Sequence, residues 1–461
     1  MAGQASKDEE GGRHGPGPAM TLLLTNARIL TMDGARTEHE RGWLRIEGTT
    51  IAALAPGDAP QVAGAEIIDC GGDLVMPGLV NTHCHLAMTL FRGLGEDVDD
   101  RLYRYILPLE RHFVGPEMVR IGTALAALES IMGGTTSVAD MYYFETMVGE
   151  VMAASGLRAI VGQTLADFSP PDHADFDEGF ARVEELVDRF AGHPLVIPSI
   201  APHAPYSTGR AVMARIADWS ADHPHVPVQM HLAESTLEVE WAKNTHAAST
   251  VAVTRDAGLL KPGLIAAHCL QLDDADIAMM AEAGVGVATN PRSNGKAGRG
   301  IAPIEALRKA GLPAGIGSDG AMSGNTLDLF AQFAPVSMFA KLRAGSRRPL
   351  PAVDVITMAT IEGARVLGLA DKVGSLAVGK QADLIRIDLS APRLHPIYDI
   401  YAMLVFATLP TDIRATMVAG RWLMVDRQVQ TLERDKVLAD ATQLAGQFRA
   451  EMARIDERLR Q

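Results

Sequence analysis

A chain of 461 residues is too long for one small domain and long enough for a barrel with an appendage. Its net charge of −14, without any block of basic residues, argues against a nucleic-acid partner and against an anionic membrane surface. The three cysteines, Cys70, Cys84 and Cys269, are scattered and fit a reducing compartment better than a disulfide scaffold, and no apolar run approaches the ~20 residues that span a bilayer, so the expected location is the cytoplasm.

Residues 1–20 are rich in Gly, Pro and charge and lack the apolar core of a secretory signal, so they are expected to be a disordered tail. Residues 21–75 read as short strands, the first part of a small β module that does not look complete. From residue 74 the pattern changes. Apolar strand-like runs at 74–85, 135–143, 157–167, 195–201, 226–232, 264–268, 285–289 and 314–318 alternate with helical stretches. Eight such units are the number that closes a (β/α)8 barrel, and we assign 76–375 to it. β character then returns, with a hairpin signal at Ala419-Gly420. Residues 376–432 are expected to join 21–75 in one discontinuous β-sandwich built from both chain ends. The charged, helically spaced stretch 433–461 reads as a surface helix.

The chemistry gathers where barrel strands end, which is where such folds carry their active sites. The first strand ends in His83-Cys84-His85, and alternation along an extended segment turns both imidazoles to one side and Cys84 to the other. The fifth ends in His231, with Glu234 three residues on. The sixth ends in His268 and the eighth in Asp319. Taken singly, His231 could be a core histidine, Glu234 a helix-terminal acid and Asp319 a turn or cap residue. The joint pattern, at the mouths of four strands, points to a metal site. Three neutral imidazoles (His83, His85, His231) and one carboxylate (Asp319) suit a single divalent ion, Zn²⁺ first, with Fe²⁺ or Mn²⁺ as alternatives. The fourth strand ends without a lysine that could bridge a second ion. Such a site lowers the pKa of water toward neutrality. Asp319 can then take a proton from the water, Glu234 can protonate a ring nitrogen, and His268 can hydrogen-bond the attacking oxygen or the developing oxyanion. That machinery hydrolyses an amidine-like C–N bond and expels ammonia.

The segments Pro77-Gly78-Leu79-Val80-Asn81-Thr82-His83-Cys84-His85, Pro202-His203-Ala204-Pro205-Tyr206, His231-Leu232-Ala233-Glu234, Asn290-Pro291-Arg292-Ser293-Asn294 and Ser318-Asp319-Gly320 give the chain its resemblance to a known family. Over residues 21–425 it resembles the amidohydrolase superfamily, in the branch of S-adenosylhomocysteine/5′-methylthioadenosine deaminases and triazine chlorohydrolases. The resemblance implies that His83, His85, His231 and Asp319 bind the metal, and that Glu234 and His268 form the acid/base and water-orienting pair. It also implies that Glu110, after Leu107-Pro108-Leu109, holds ribose hydroxyls and that His203 contacts the nucleoside. The family's tryptophans before that glutamate are missing here, and its carboxylate-binding arginine has only Arg182 as a weak counterpart. Family members usually form homodimers or larger homo-oligomers. The expected activity is metal-dependent deamination of an adenosine-type nucleoside or related N-heterocycle. The alternatives are a triazine- or pterin-type hydrolase or chlorohydrolase, and a non-catalytic binding relative.

Overall fold

A computed structural model describes residues 21–98 and 101–460. The tail expected at 1–20 lies outside the described residues.

Eight parallel strands form the centre of the molecule: Leu79–His85, Thr135–Tyr142, Arg158–Leu165, Val196–Pro202, Val228–Leu232, Leu264–His268, Gly286–Thr289 and Ala314–Ile316. They pair in chain order, and the eighth pairs back to the first through Ile316 and Asn81, so the sheet closes. Helices cover the outside, so most strand residues are buried on both faces, and the segments read as continuous apolar runs. A further two-residue strand, Asp319–Gly320, pairs with the end of the first strand, Asp319 opposite Cys84 and Gly320 opposite His85. This short pairing carries the eighth strand's carboxylate beside the first strand's imidazoles.

The strand expected over 74–85 divides at Gly78. Leu74–Pro77 belongs to a second sheet, and Leu79–His85 enters the barrel. Proline ends the first ladder, and glycine is required after it because a Cβ at residue 78 would lie 2.1 Å from Thr136 Cγ2. The second sheet draws strands from both chain ends. Its order is Gln428–Val429, Arg421–Val425, Ile413–Val418, Leu384–Ile387, Leu74–Pro77, Thr21–Leu30, Glu38–Glu47 and Thr50–Pro56, with Glu66–Asp69 alongside Thr21–Leu30. It has its own apolar cluster, including Leu24, Leu44, Ile51, Val75, Leu384 and Met417.

A buried ion pair joins the two bodies at the base of the barrel. Arg158, at the start of the third strand, donates from Nε to Asp383 Oδ2 at 3.1 Å and from Nη2 to Asp383 Oδ1 at 3.2 Å. The side chains are 2% and 1% exposed. The last helix, Arg434–Arg460, differs from the surface helix expected from its charge. Val437, Ala441, Phe448 and Ile455 are buried, a stripe at helical spacing, and Phe448 packs against Phe91 and Phe113. Charged residues dominate the other faces and mask that stripe in the composition.

Candidate metal centre and active site

The four strand ends bring their side chains to one point. The ring centroids of His83 and His85 lie 4.8 Å apart, those of His83 and His231 5.0 Å, and those of His85 and His231 5.4 Å. His85 Nε2 is 3.2 Å from Asp319 Oδ1. Ligand atoms of His83, His85 and Asp319 lie within 4.8 Å of one another, as do those of His83, His231 and His268. Cys84 points the other way, with its thiol 3.4 Å from the Ala139 carbonyl. Alternation along the strand thus sorts the three side chains as the sequence implies.

The donor set fits a divalent cation. His83 Nε2 is buried without a hydrogen-bond partner, an arrangement that is costly unless something occupies the space before it. The outer nitrogens of two other imidazoles are already held. His85 Nδ1 lies 2.5 Å from the Met141 carbonyl and His231 Nδ1 2.9 Å from the His203 carbonyl, which leaves each Nε2 as the nitrogen available to a metal, that of His85 beside Asp319. Asp319 is braced by the Gly320 N–H at 2.7 Å and by the Ser293 hydroxyl. Burial, followed by neighbouring imidazoles, pushes His83 and His231 well below the usual histidine range, so both are neutral, as ligation requires. Burial is the largest influence at His85 and Asp319 too and opposes charge there, but their mutual hydrogen bond and attraction, with the neighbouring groups, together outweigh it. His85 is drawn up and Asp319 well down.

The centre opens into a cavity of about 360 Å³ lined by Glu110, Tyr142, His203, Glu234, His268 and Arg299, among others. Glu234 Oε1 is 3.6 Å from His268 Nε2. His268 is held in turn by the Asn294 side chain, 2.9 Å from Nδ1. Glu110 accepts a hydrogen bond from the Tyr142 hydroxyl at 2.7 Å, and burial raises its pKa. His203 Nδ1 is 2.7 Å from the Ser207 hydroxyl, and burial lowers its pKa to about 3, so it meets a ligand as a neutral ring. Ala233, His268 and Asp319 have φ of 52°, 72° and 59°, a conformation uncommon for non-glycine residues. The chain turns sharply there, and His268, Asp319 and Glu234, which follows Ala233, face the cavity.

Of the residues singled out in the sequence, eight line the cavity or its floor. Arg182 does not. Its guanidinium donates to the Asp172 carbonyl at 3.3 Å and pairs with Glu185, on the outer face of its helix. The reason is local: Arg182 and Glu185 are three residues apart on the exposed side of Phe176–Arg189.

Sequence reading missed Tyr142, Glu238 and Arg299. Glu238 is buried, and its two oxygens accept the Ala233 N–H at 2.8 Å and the Glu234 N–H at 2.9 Å. The spacing Glu234–Glu238, one turn into a helix, was the available signal. Tyr142 had none beyond its position at a strand end, and Arg299, in the loop after the helix Pro291–Lys296, had none.

The amidohydrolase family model matches residues 74–423. The chain belongs to the amidohydrolase family. It is 38% identical over 421 residues to a 5-methylthioadenosine/S-adenosylhomocysteine deaminase of Syntrophobacter fumaroxidans, covering 90% of this amidohydrolase and 96% of that protein. It is 35% identical to a 5′-deoxyadenosine deaminase of Methanosarcina mazei, covering 92% and 97%. Among solved structures, an adenosine deaminase from Xanthomonas campestris with bound zinc superimposes with a TM-score of 0.90 at 34% identity, over 94% of this chain and all of that one. An atrazine chlorohydrolase from Arthrobacter aurescens complexed with zinc shares the fold, with a TM-score of 0.85 at 21% identity, over 92% of this chain and 100% of that one.

Proposed function

We propose that this amidohydrolase is a deaminase that replaces the exocyclic amino group of an adenosine-type nucleoside by water and releases ammonia. The observation that carries the reading is the convergence of His83, His85, His231 and Asp319 with Glu234 and His268 beside them, in a cavity whose far wall presents Glu110. His83, His85, His231 and Asp319 would hold one divalent ion, most simply zinc. That ion supplies Lewis acidity and brings the deprotonation of water into the neutral range.

The chain's own groups do the rest. Asp319 receives a proton at its carboxylate. Glu234 delivers a proton to the ring nitrogen next to the reacting carbon, which makes that carbon electrophilic. His268, fixed by Asn294, holds the oxygen that becomes the new carbonyl. Glu110, steadied by Tyr142, accepts hydrogen bonds from a ribose diol, and the neutral His203 contacts the nucleoside. A triazine offers no diol, so Glu110 favours the nucleoside over a triazine. No helix among the described residues is long and apolar enough to cross a membrane; we infer a cytoplasmic enzyme acting on a small molecule, as a homodimer or larger homo-oligomer.

Ammonia release from adenosine, 5′-methylthioadenosine, 5′-deoxyadenosine, S-adenosylhomocysteine, guanine and atrazine tests the proposal. Turnover of at least one adenosine derivative, lost on chelation and restored by Zn²⁺, is expected. Turnover confined to guanine or atrazine would overturn it.

A further inference from the structure

Resting on that reading, we propose that Arg299 is a clasp on Glu234: it holds the carboxylate in the free enzyme and must let go before substrate can engage it. Arg299 Nη1 pairs with Glu234 Oε1, the same oxygen that approaches His268. Both residues line the cavity. A guanidinium has five donors and no acceptor, so while it occupies Oε1 it competes directly with a ring nitrogen for that carboxyl.

Arg299 is the more accessible partner of the pair. Its side chain is 41% exposed and that of Glu234 20%. Arg299 lies between Gly298 and Gly300, with φ of 63° and 120°, in the loop that follows the helix Pro291–Lys296. The Glu234 backbone is tied down by Glu238, so only its side chain can turn. The loop is anchored where the chemistry is: the Arg299 N–H donates to the Asn294 carbonyl at 3.0 Å, and the Asn294 side chain holds His268. The other titratable groups around this end of the cavity are His268, Tyr206, Asp319 and the buried Glu238. Arg299 is the sole arginine or lysine lining the cavity among the described residues.

If substrate must displace an ion pair, the lost attraction appears in binding. Arg299→Ala is therefore expected to lower KM for the preferred nucleoside ~3–10-fold, the range of a partly exposed ion pair worth about 0.7–1.4 kcal/mol. Arg299→Lys is expected to retain most of the parent KM. Salt distinguishes the clasp from a merely structural effect. Raising ionic strength from 20 to 300 mM should lower KM of the parent and leave that of Arg299→Ala unchanged, because only the parent has an attraction to screen. An unchanged or raised KM in Arg299→Ala, or an equal salt response in both proteins, would overturn the clasp. Circular dichroism and zinc content establish that the variant folds and loads. Should Arg299→Ala fail to fold, Arg299→Gln, which keeps a polar side chain and removes the charge, carries the same two readouts. A parent that turns over no nucleoside removes the deaminase reading and the clasp with it; an active parent with unaltered variant KM removes the clasp alone.

Discussion

The mouth and the base of the barrel treat buried charge in opposite ways. At the base, Arg158 and Asp383 meet in a two-pronged pair, and Gln381 accepts a further bond from the same guanidinium at 2.9 Å. At the mouth, imidazoles crowd within about 5 Å of one another, His83 Nε2 has no partner, and three residues adopt left-handed backbone. A satisfied pair at the base holds two bodies together. Unsatisfied groups at the mouth are stable only because the surrounding strands fix them, and they are the ones poised to bind and react.

Substitutions at the two ends should therefore separate activity from stability. Glu234→Gln removes the proposed acid/base group without changing shape and is expected to lower kcat by ~10²–10⁴-fold while the thermal midpoint and zinc content stay at parent values. Loss of stability in that variant would blur the distinction. Arg158→Ala leaves Asp383 buried and unpaired. It is expected to cost about 3–5 kcal/mol in denaturant unfolding, with kcat unchanged in the molecules that remain folded. A cost below about 1 kcal/mol would mean that the pair does not tie the bodies together.

Glu110→Gln should act on the mouth alone, raising KM for ribosides ~10-fold or more and sparing substrates without a diol, since hydrogen bonds to charged groups are worth about 1.5–3 kcal/mol. Equal effects on both substrate types would remove the ribose assignment. The smallest effect concerns Asp328, whose pKa is pushed up to about 6 by burial, against a hydrogen bond from the Phe330 N–H. The folded state therefore binds a proton that the unfolded chain releases near pH 4. Stability from this group is greatest below that value and declines as pH rises through about 6. Asp328→Asn keeps an oxygen to accept the Phe330 N–H, and it should flatten that decline and gain about 1–2 kcal/mol at pH 8 in urea unfolding. An undiminished pH slope would show that Asp328 is not its source.

What was legible in the sequence follows the same divide. The barrel could be counted because its strands are buried on both faces, and in four of the eight units a histidine or aspartate at or just past the strand end marks the mouth: His83 and His85, His231, His268 and Asp319. The boundary between the two sheets could not be placed: Leu74–Pro77 and Leu79–His85 are both almost wholly buried and both open on Leu-Val, and the Pro77-Gly78 step that separates them acts through a tertiary contact, that of Gly78 with Thr136. The buried stripe of the last helix was hidden because one apolar residue per turn or two suffices to dock it. Arg182 was the arginine offered by the sequence as a carboxylate-binding counterpart, yet helical phase turned it outward. Arg299, far along the chain between two glycines, reached the cavity instead. Side chains that arrive from loops depend on backbone turns that local sequence does not specify.

The central claim is that four residues spread over more than two hundred positions hold one cation. Anomalous diffraction from crystals of the zinc-loaded protein, recorded on both sides of the zinc absorption edge, tests it most directly. The account predicts a single peak at ~2.0–2.2 Å from nitrogens of His83, His85 and His231 and from an oxygen of Asp319. A peak elsewhere, or none at these residues in a protein that deaminates nucleosides, would contradict it.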